Sequence, residues 1–328
     1  GGSVVSVSGF DEGLLGFLID QLIRTAIKTA RVSPKYPLFK SFAFPKQQYV
    51  FTIVDEDIIC LEPADAAEIA KQISAEIKKN GKVKVNYTID VSYGVLKSVI
   101  MNTNGIDVED SSSGMNVEVT ISVKRGFEET EFTDCIMGRR LRDVANRVEG
   151  FGRATLSKAM EMLEAKPLRG SFTGCLIVDG VALQDLLWPL IYHLDSLSVL
   201  QGRSAFGNRL GDRVASKKLT IIDDGQNPLG MLSSKYDDEG IPKRKKTLID
   251  AGVLKMFIND SYTAHAMDAD YTGNANRIGS DVSPSMLDIV IPGEKGSLVD
   301  VVEEIDSGVL VNGPAMGSHI SDPYTGEF

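Results

Sequence analysis

The feature that most constrains this chain is a long, strict alternation of apolar and polar residues. Val83, Val85, Tyr87 and Ile89 take every second position, the pattern runs on from Val91 to Met101, and it returns from Met115 to Val123. A period of two turns one face of each strand to a core and the other to water. Asn104-Gly105 lies between the runs, and that dipeptide accepts the positive φ angles of a tight hairpin turn. The reading is an antiparallel meander of three or four strands whose apolar face needs a cover. Helices are at hand to supply it. Residues 13–30 set Leu15, Leu18, Leu22, Ala26 and Ala30 on one stripe, and residues 64–80 do the same with Ile69, Ile73 and Ile77. Two further helices are expected at 138–149 and 152–165, and a short strand at 48–54.

Lys166-Pro167 breaks the chain, because a residue before proline is driven out of the helical region. Beyond it a buried-looking strand at Cys175–Val178, an apolar helix around 181–195 and a strand at 219–222 precede hairpin-like strands near 246–257. A helix around 260–268, a Gly/Asn-rich loop at 272–279 and a strand at 287–291 come next. A helix carrying Leu298, Val301, Val302 and Ile305 and a strand at 308–312 end the series. Helices interspersed with mostly antiparallel strands define an α+β chain, not a doubly wound parallel sheet. The expected division is an N-terminal domain over 1–166 and a C-terminal domain over 167–328, each with an antiparallel sheet and packed helices. The helix around 181–195 is apolar almost all round, which predicts burial inside a domain or at a subunit interface.

The chain has 328 residues, and 45 acidic against 35 basic side chains give it a formal charge of −10. That is the wrong sign for a general nucleic-acid binder. The basic run Lys243-Arg244-Lys245-Lys246 closely follows Asp237, Asp238 and Glu239 and reads as a solvated hairpin face. Cys60, Cys135 and Cys175 form no CxxC pair, so a disulfide framework and a zinc ribbon are both excluded and a reducing cytoplasm is expected. No apolar run approaches the ~18 residues of a membrane span. Gly1-Gly2-Ser3 opens the chain without the basic and apolar regions of a signal peptide.

Catalytic signatures are missing. His193, His265 and His319 are the three histidines, and none has a second histidine at metal-ligand spacing. Gly202-Arg203-Ser204-Ala205-Phe206-Gly207 misses the spacing of a nucleophile elbow. The stretch Gly202 to Gly211 lacks a phosphate-loop lysine. Asp223-Asp224 and Asp237-Asp238-Glu239 adjoin glycine and read as turn residues.

Residues 202–277 carry a more specific signal. SAFGNRLGDRVAS (Ser204 to Ser216), DDEG (Asp237 to Gly240), the hairpin from Leu248 to Leu254 and TGNA-x-R (Thr272 to Arg277) occur in that order. This set resembles the core signature of the TldD/PmbA family, and similarity extends to Gly170–Leu187, Asn102–Val123 and Ala26–Arg31. Members of that family are usually longer at both ends, so a trimmed version is expected.

The resemblance implies more than a fold. The TldD branch is similar to a zinc endopeptidase, with HExxxH on the helix before the SAF stretch and a cysteine ligand nearer the C-terminus. Aligned on Ser204-Ala205-Phe206, that window falls on Leu187-Trp188-Pro189-Leu190-Ile191-Tyr192. A one-residue slip brings His193 onto the second histidine, but Trp188 and Pro189 then stand where histidine and glutamate belong. The departure resembles the PmbA (TldE-like) branch. It implies a peptide-binding subunit, inactive alone, with no cofactor on this chain and zinc only on a TldD-like partner. The partner could also be a second copy of the chain, and the substrate an unfolded peptide. Gly202, Ser204, Phe206, Asp238, Gly240, Gly273, Asn274 and Arg277 are the expected peptide or partner contacts, because the motifs are rich in glycines that let backbones approach closely. The alternatives are a homodimeric peptide-binding module without proteolysis and a regulator linked to DNA gyrase, which the acidic charge disfavours.

Overall fold

The computed structural model describes residues 15–33, 38–45, 54–78, 84–167, 170–171, 173–178, 180–279, 281–285, 288–293, 295–311 and 313. The strand expected at 48–54 lies outside them except for Val54. Helices α1 (Leu15–Val32), α2 (Glu56–Ile59) and α3 (Pro63–Lys78) precede a sheet of β1 (Lys84–Met101), β2 (Asp107–Arg125) and β3 (Glu128–Gly138). Helices α4 (Leu141–Val148) and α5 (Phe151–Leu163) follow it. Central strand β2 sets the core: Met115, Val117, Val119, Ile121 and Val123 are at most 1% exposed. Ile73 and Ile77 from α3, and Leu156 and Ala159 from α5, close over that face in one cluster. The two helices cross tightly at Gly152, where an added Cβ would stand 2.8 Å from the Ile73 carbonyl oxygen. Buried Glu76 of α3 accepts the N–H groups of Gly150 at 2.8 Å and Gly152 at 3.1 Å, satisfying donors at the start of α5.

The alternation extends further than the sequence pattern predicts. Strand β2 begins at Asp107, and β1 pairs with it without interruption from Lys84↔Lys124 to Met101↔Asp107. Strand β3 pairs with β2 only from Met115 onward, so residues 94–114 continue as a two-stranded arm beyond the helices. The tip of the arm meets the second half of the chain, where Ala43, Ile106 and Ile241 form a small cluster with Ile100, Val108 and Tyr271.

The second half comprises β4 (Cys175–Val178), α6 (Gly180–Leu194), α7 (Ser196–Leu200), β5 (Ile221–Asp224), β6 (Lys245–Asp250), β7 (Val253–Leu254) and α8 (Ser261–Met267), followed by β8 (Ala275–Ile278), β9 (Asp281–Pro284), β10 (Ile289–Val290), α9 (Leu298–Glu303) and β11 (Gly308–Val311). An antiparallel sheet in the order β10-β5-β6-β7 carries a separate core of Leu194, Phe206, Ile221, Leu248, Ile249, Leu254 and Ile258. The class is α+β, as expected. Several local expectations need correction. Strands β4 and β11 pair in parallel, and Cys175 and Leu176 are exposed, not buried. The loop expected at 272–279 contains β8, which forms a hairpin with β9. Helix α6 buries one side only: Leu187, Leu190 and Ile191 pack on the core, whereas Leu186 and Trp188 are exposed. Leu298, Val299, Val301 and Val302 of α9 are exposed as well. Apolar spacing marks which side chains need cover; it does not say that this chain supplies it. Among the described residues no helix is long and apolar enough to cross a membrane.

Candidate functional site

The basic run is not a solvated face. Lys246 lies 3.1 Å from Asp223, and the two side chains are 2% and 0% exposed. The register explains it: Lys246 shares the inward parity of Leu248 on β6, and Asp223 sits opposite on β5. Asn274 adds a hydrogen bond from Nδ2 to the Asp223 carboxylate at 2.6 Å. Lys243 is also buried, its Nζ donating to the Leu232 carbonyl at 3.1 Å. Burial lowers the Lys243 pKa against the pull of Asp237, Asp238, Asp223 and Asp288. Only Arg244 and Lys245 face solvent. Asp223 is likewise a strand residue in an ion pair, and turn chemistry does not account for it.

Turn chemistry does account for Asp237. Its carboxylate accepts N–H groups from Ile241 at 2.9 Å, Glu239 at 3.0 Å and Ala275 at 3.0 Å. Burial outweighs those three donors and raises its pKa to about 7. Glu239 accepts the Ser261 hydroxyl at 2.6 Å and the Ser261 N–H at 2.7 Å. Gly240, at φ 81°, leaves no room for a side chain: a Cβ would stand 2.5 Å from Ile106 Cγ2. The DDEG turn, the TGNA loop and the tip of the arm therefore form one packed unit. Arg139, at the end of β3, locks it to the first half. Its guanidinium donates to the carbonyls of Ser233 at 2.7 Å, Gly230 at 2.9 Å, Ser113 at 3.2 Å and Met231.

The eight expected contact residues fall into two groups. Asp238, Gly240, Gly273, Asn274 and Arg277 come together, with Asp238 accepting the Arg277 N–H at 2.7 Å. Asp238 and Arg277 are exposed, while Asn274 is fully buried and Gly273 lies against Pro242 and Lys243. Ser204 and Phe206 lie beside α6 instead, and Gly202 follows α7. Gly202 turns the chain out of α7 at φ 69°, and the Ser204 hydroxyl donates to the His193 carbonyl at 2.7 Å. Phe206 is buried with its ring 5.3 Å from that of His193. The side chains of Ser204, Phe206 and Asn274 thus serve the fold.

Next to the first group a groove of about 120 Å³ opens between the arm and the DDEG turn, lined by Leu96, Ser98, Asp110, Tyr236 and Asp238 among others. Sequence reasoning passed over all of these but Asp238. The available signal was the polar run Ser111-Ser112-Ser113 in an otherwise apolar alternation.

A zinc site does not fit these residues. His193 is 7% exposed, and its Nδ1 accepts the Ala205 N–H at 3.3 Å. Trp188 and Pro189 occupy the preceding turn of α6. Among the described residues no three His, Cys, Asp or Glu side chains come together to hold a metal.

A β-meander roofed by helices, locked through an arm and a glycine turn onto a second sheet with its own core, defines an α+β protein. Comparison with known proteins makes this specific. Residues 56–163 match the PmbA/TldA metallopeptidase central domain and residues 175–328 its C-terminal domain. An uncharacterised protein of Methanocaldococcus jannaschii is 32% identical over 74% of this chain and 56% of its own length. A metalloprotease of the same organism is 27% identical over 91% of this chain and 67% of its own length. The crystal structure of TldE from Thermococcus kodakarensis matches 97% of this chain and 71% of that one at a TM-score of 0.77 and 23% identity. The chain belongs to the PmbA/TldD metallopeptidase family. It spans little more than half the length of the first of these relatives.

Proposed function

We propose that this chain is a non-catalytic, peptide-binding subunit that works beside a zinc-bearing, TldD-like partner on unfolded peptides. One observation carries the reading: the α6 window presents Trp188 and Pro189, and its lone imidazole, His193, is turned inward onto the Ala205 N–H. A zinc peptidase needs at least two imidazoles or carboxylates and a general base there to hold and activate water. The exposed apolar side chains of α6 and α9 support a partner, since Trp188, Leu186, Val299 and Val301 call for cover. We place the subunit in the cytoplasm, where its three free cysteines stay reduced. In this reading residues 1–166 and 167–328 are two domains held as one body by Arg139.

The test is reconstitution. An unstructured peptide is incubated with this chain, with a TldD-like partner, and with both, and elemental analysis is run on each. The expected result is cleavage that needs both chains, with zinc on the partner only. Full activity from the partner alone removes the need for this chain; zinc-dependent cleavage by this chain alone reverses the assignment.

A further inference from the structure

At the tip of the arm the chain holds its own segment 38–45 as it would hold a ligand. Two asparagines of the turn between β1 and β2 grip the main chain of that segment. Asn104 Nδ2 donates to the Phe42 carbonyl at 2.6 Å, and Asn102 Nδ2 donates to the Ala43 carbonyl at 2.8 Å. From the second half, the Tyr271 hydroxyl accepts the Phe44 N–H. Three consecutive residues are thus read through their backbone. Burial alternates across them: Ala43, 1% exposed, enters the cluster of Ile106 and Ile241, while Phe42 and Phe44 remain 52% and 48% exposed.

The cradle is set without help from its occupant. Asn102 Oδ1 accepts the N–H groups of Asn104 at 2.9 Å and Ile106 at 3.1 Å, which fixes the amide that serves Ala43. His265 Nε2, 2.8 Å from the Tyr271 hydroxyl, orients that group. Partners held in place this way lose little freedom when a ligand arrives. The occupant itself is held lightly. A segment that served only the fold would bury its large apolar side chains. This one buries the methyl of Ala43 and leaves Leu38, Phe39, Phe42 and Phe44 about half exposed. The groove beside the DDEG turn shares Ile100 and Val108 with the Ala43 cluster, so cradle and groove adjoin.

We propose that this cradle is a peptide-binding site, and that segment 38–45 is a tethered competitor which an unfolded peptide displaces. The proposal rests on the peptide-binding reading above and names the class of peptide: an extended stretch with a small residue, alanine above all, at its centre. A larger central side chain overpacks the cluster. A charged one is desolvated there without a partner. Neighbouring side chains project to solvent, so main-chain recognition tolerates many sequences on either side. A tethered competitor acts at an effective concentration on the order of millimolar. Free peptide therefore binds weakly until the segment lifts.

The test uses the whole chain and a fluorescent peptide with the sequence of residues 38–45. A companion peptide carries glutamate in place of its alanine. Ala43→Glu ejects the tethered segment and should tighten peptide binding about ten-fold; Ala43→Gly, which weakens the anchor and keeps the backbone, should tighten it about three-fold. Asn104→Ala added to Ala43→Glu should weaken the peptide about five-fold, through one lost hydrogen bond. The glutamate peptide should bind neither single variant, and added peptide should protect residues 102–106 from hydrogen exchange in both. Where Ala43→Glu loses its circular dichroism, Ala43→Gly decides, with Asn104→Ala added to it instead. Equal affinity for the unmodified chain and the folded variants makes the segment a fixed part of the fold and overturns the proposal. Tighter binding that ignores Asn104→Ala, or the alanine of the peptide, overturns it as well. In either case an unstructured peptide still bound, or cleaved with a TldD-like partner, leaves the peptide-binding reading standing. No binding of any peptide, alone or with that partner, overturns both.

Discussion

The two halves of the molecule are held together by different physics. The first buries a continuous apolar face, with Val117, Val119, Ile121 and Val123 of β2 fully shielded beneath α3 and α5. The second has a smaller apolar core and encloses charge: Asp223 with Lys246, Lys243 with the Leu232 carbonyl, and Asp237 within its own turn. An apolar core tolerates imprecise packing at a graded cost, because contacts are many and individually weak. A buried polar network does not, since each missing partner leaves a desolvated group exposed to no solvent. The first half should therefore yield to mutation gradually and the second abruptly.

Removing one member of the buried ion pair gives the largest expected effect. Lys246→Met strands Asp223 without its cation and should cost about 3–5 kcal/mol in urea unfolding. The double change Asp223→Leu with Lys246→Met should recover much of that loss. If it recovers nothing, the pair is not an isolated charge problem and the contrast with the first half weakens.

In the first half the matching experiment is Ile121→Ala. A cavity at this fully buried site should cost about 3 kcal/mol by the same unfolding assay. A cost below about 1 kcal/mol would mean the sheet and helices collapse onto the space.

Acidity separates the halves next. Burial raises the pKa of Asp195, Asp237, Glu239, Asp260 and Asp288, all in the second half. A carboxyl whose folded pKa exceeds its unfolded one favours folding when protonated, so its contribution is fully present below about pH 4. For Asp237 it is lost as pH rises through about 7. Between pH 5 and pH 6.5 that one group should remove about 2 kcal/mol. Asp237→Asn should flatten the profile in this window, although its amide meets the Ala275 N–H and lowers stability throughout. A profile unchanged by the substitution would show that Asp237 is ionised across the range.

A smaller effect is expected at the cap of α5. Glu76→Ala removes an acceptor from the N–H groups of Gly150 and Gly152 and should cost about 1 kcal/mol. The smallest signal is spectroscopic: Trp188, 54% exposed, should emit to the red and be quenched by iodide in the isolated chain. A blue-shifted, protected emission would mean that copies of the chain already cover α6.

The contrast also governs how much was legible from sequence. Repetition made the meander readable: Val83 to Met101 declares its period over many residues, and helices α3 and α5 announce their stripes. Motifs of four to thirteen residues made the family readable, because DDEG and TGNA need their glycines for backbone positions no other residue fits. Gly240 against Ile106 shows why. The candidate site was readable only in part. Asp238 and Arg277 do lie together on the surface, but Ser204 and Asn274 turn inward, and the groove's Ser98 and Asp110 carry no local mark.

What the sequence alone determined was each strand and helix that repeats its own pattern, together with the absence of a paired-histidine zinc motif. Tertiary structure decided the rest. Lys243 and Lys246 look like two charges in a solvated run until β5 places Asp223 across from β6. Arg139 looks like any surface arginine until four carbonyls converge on it. Helix α6 looks buried until its neighbours prove to cover one side. In each case the deciding partner is distant along the chain, and desolvation and pairing depend on neighbours in space, which a local pattern does not encode.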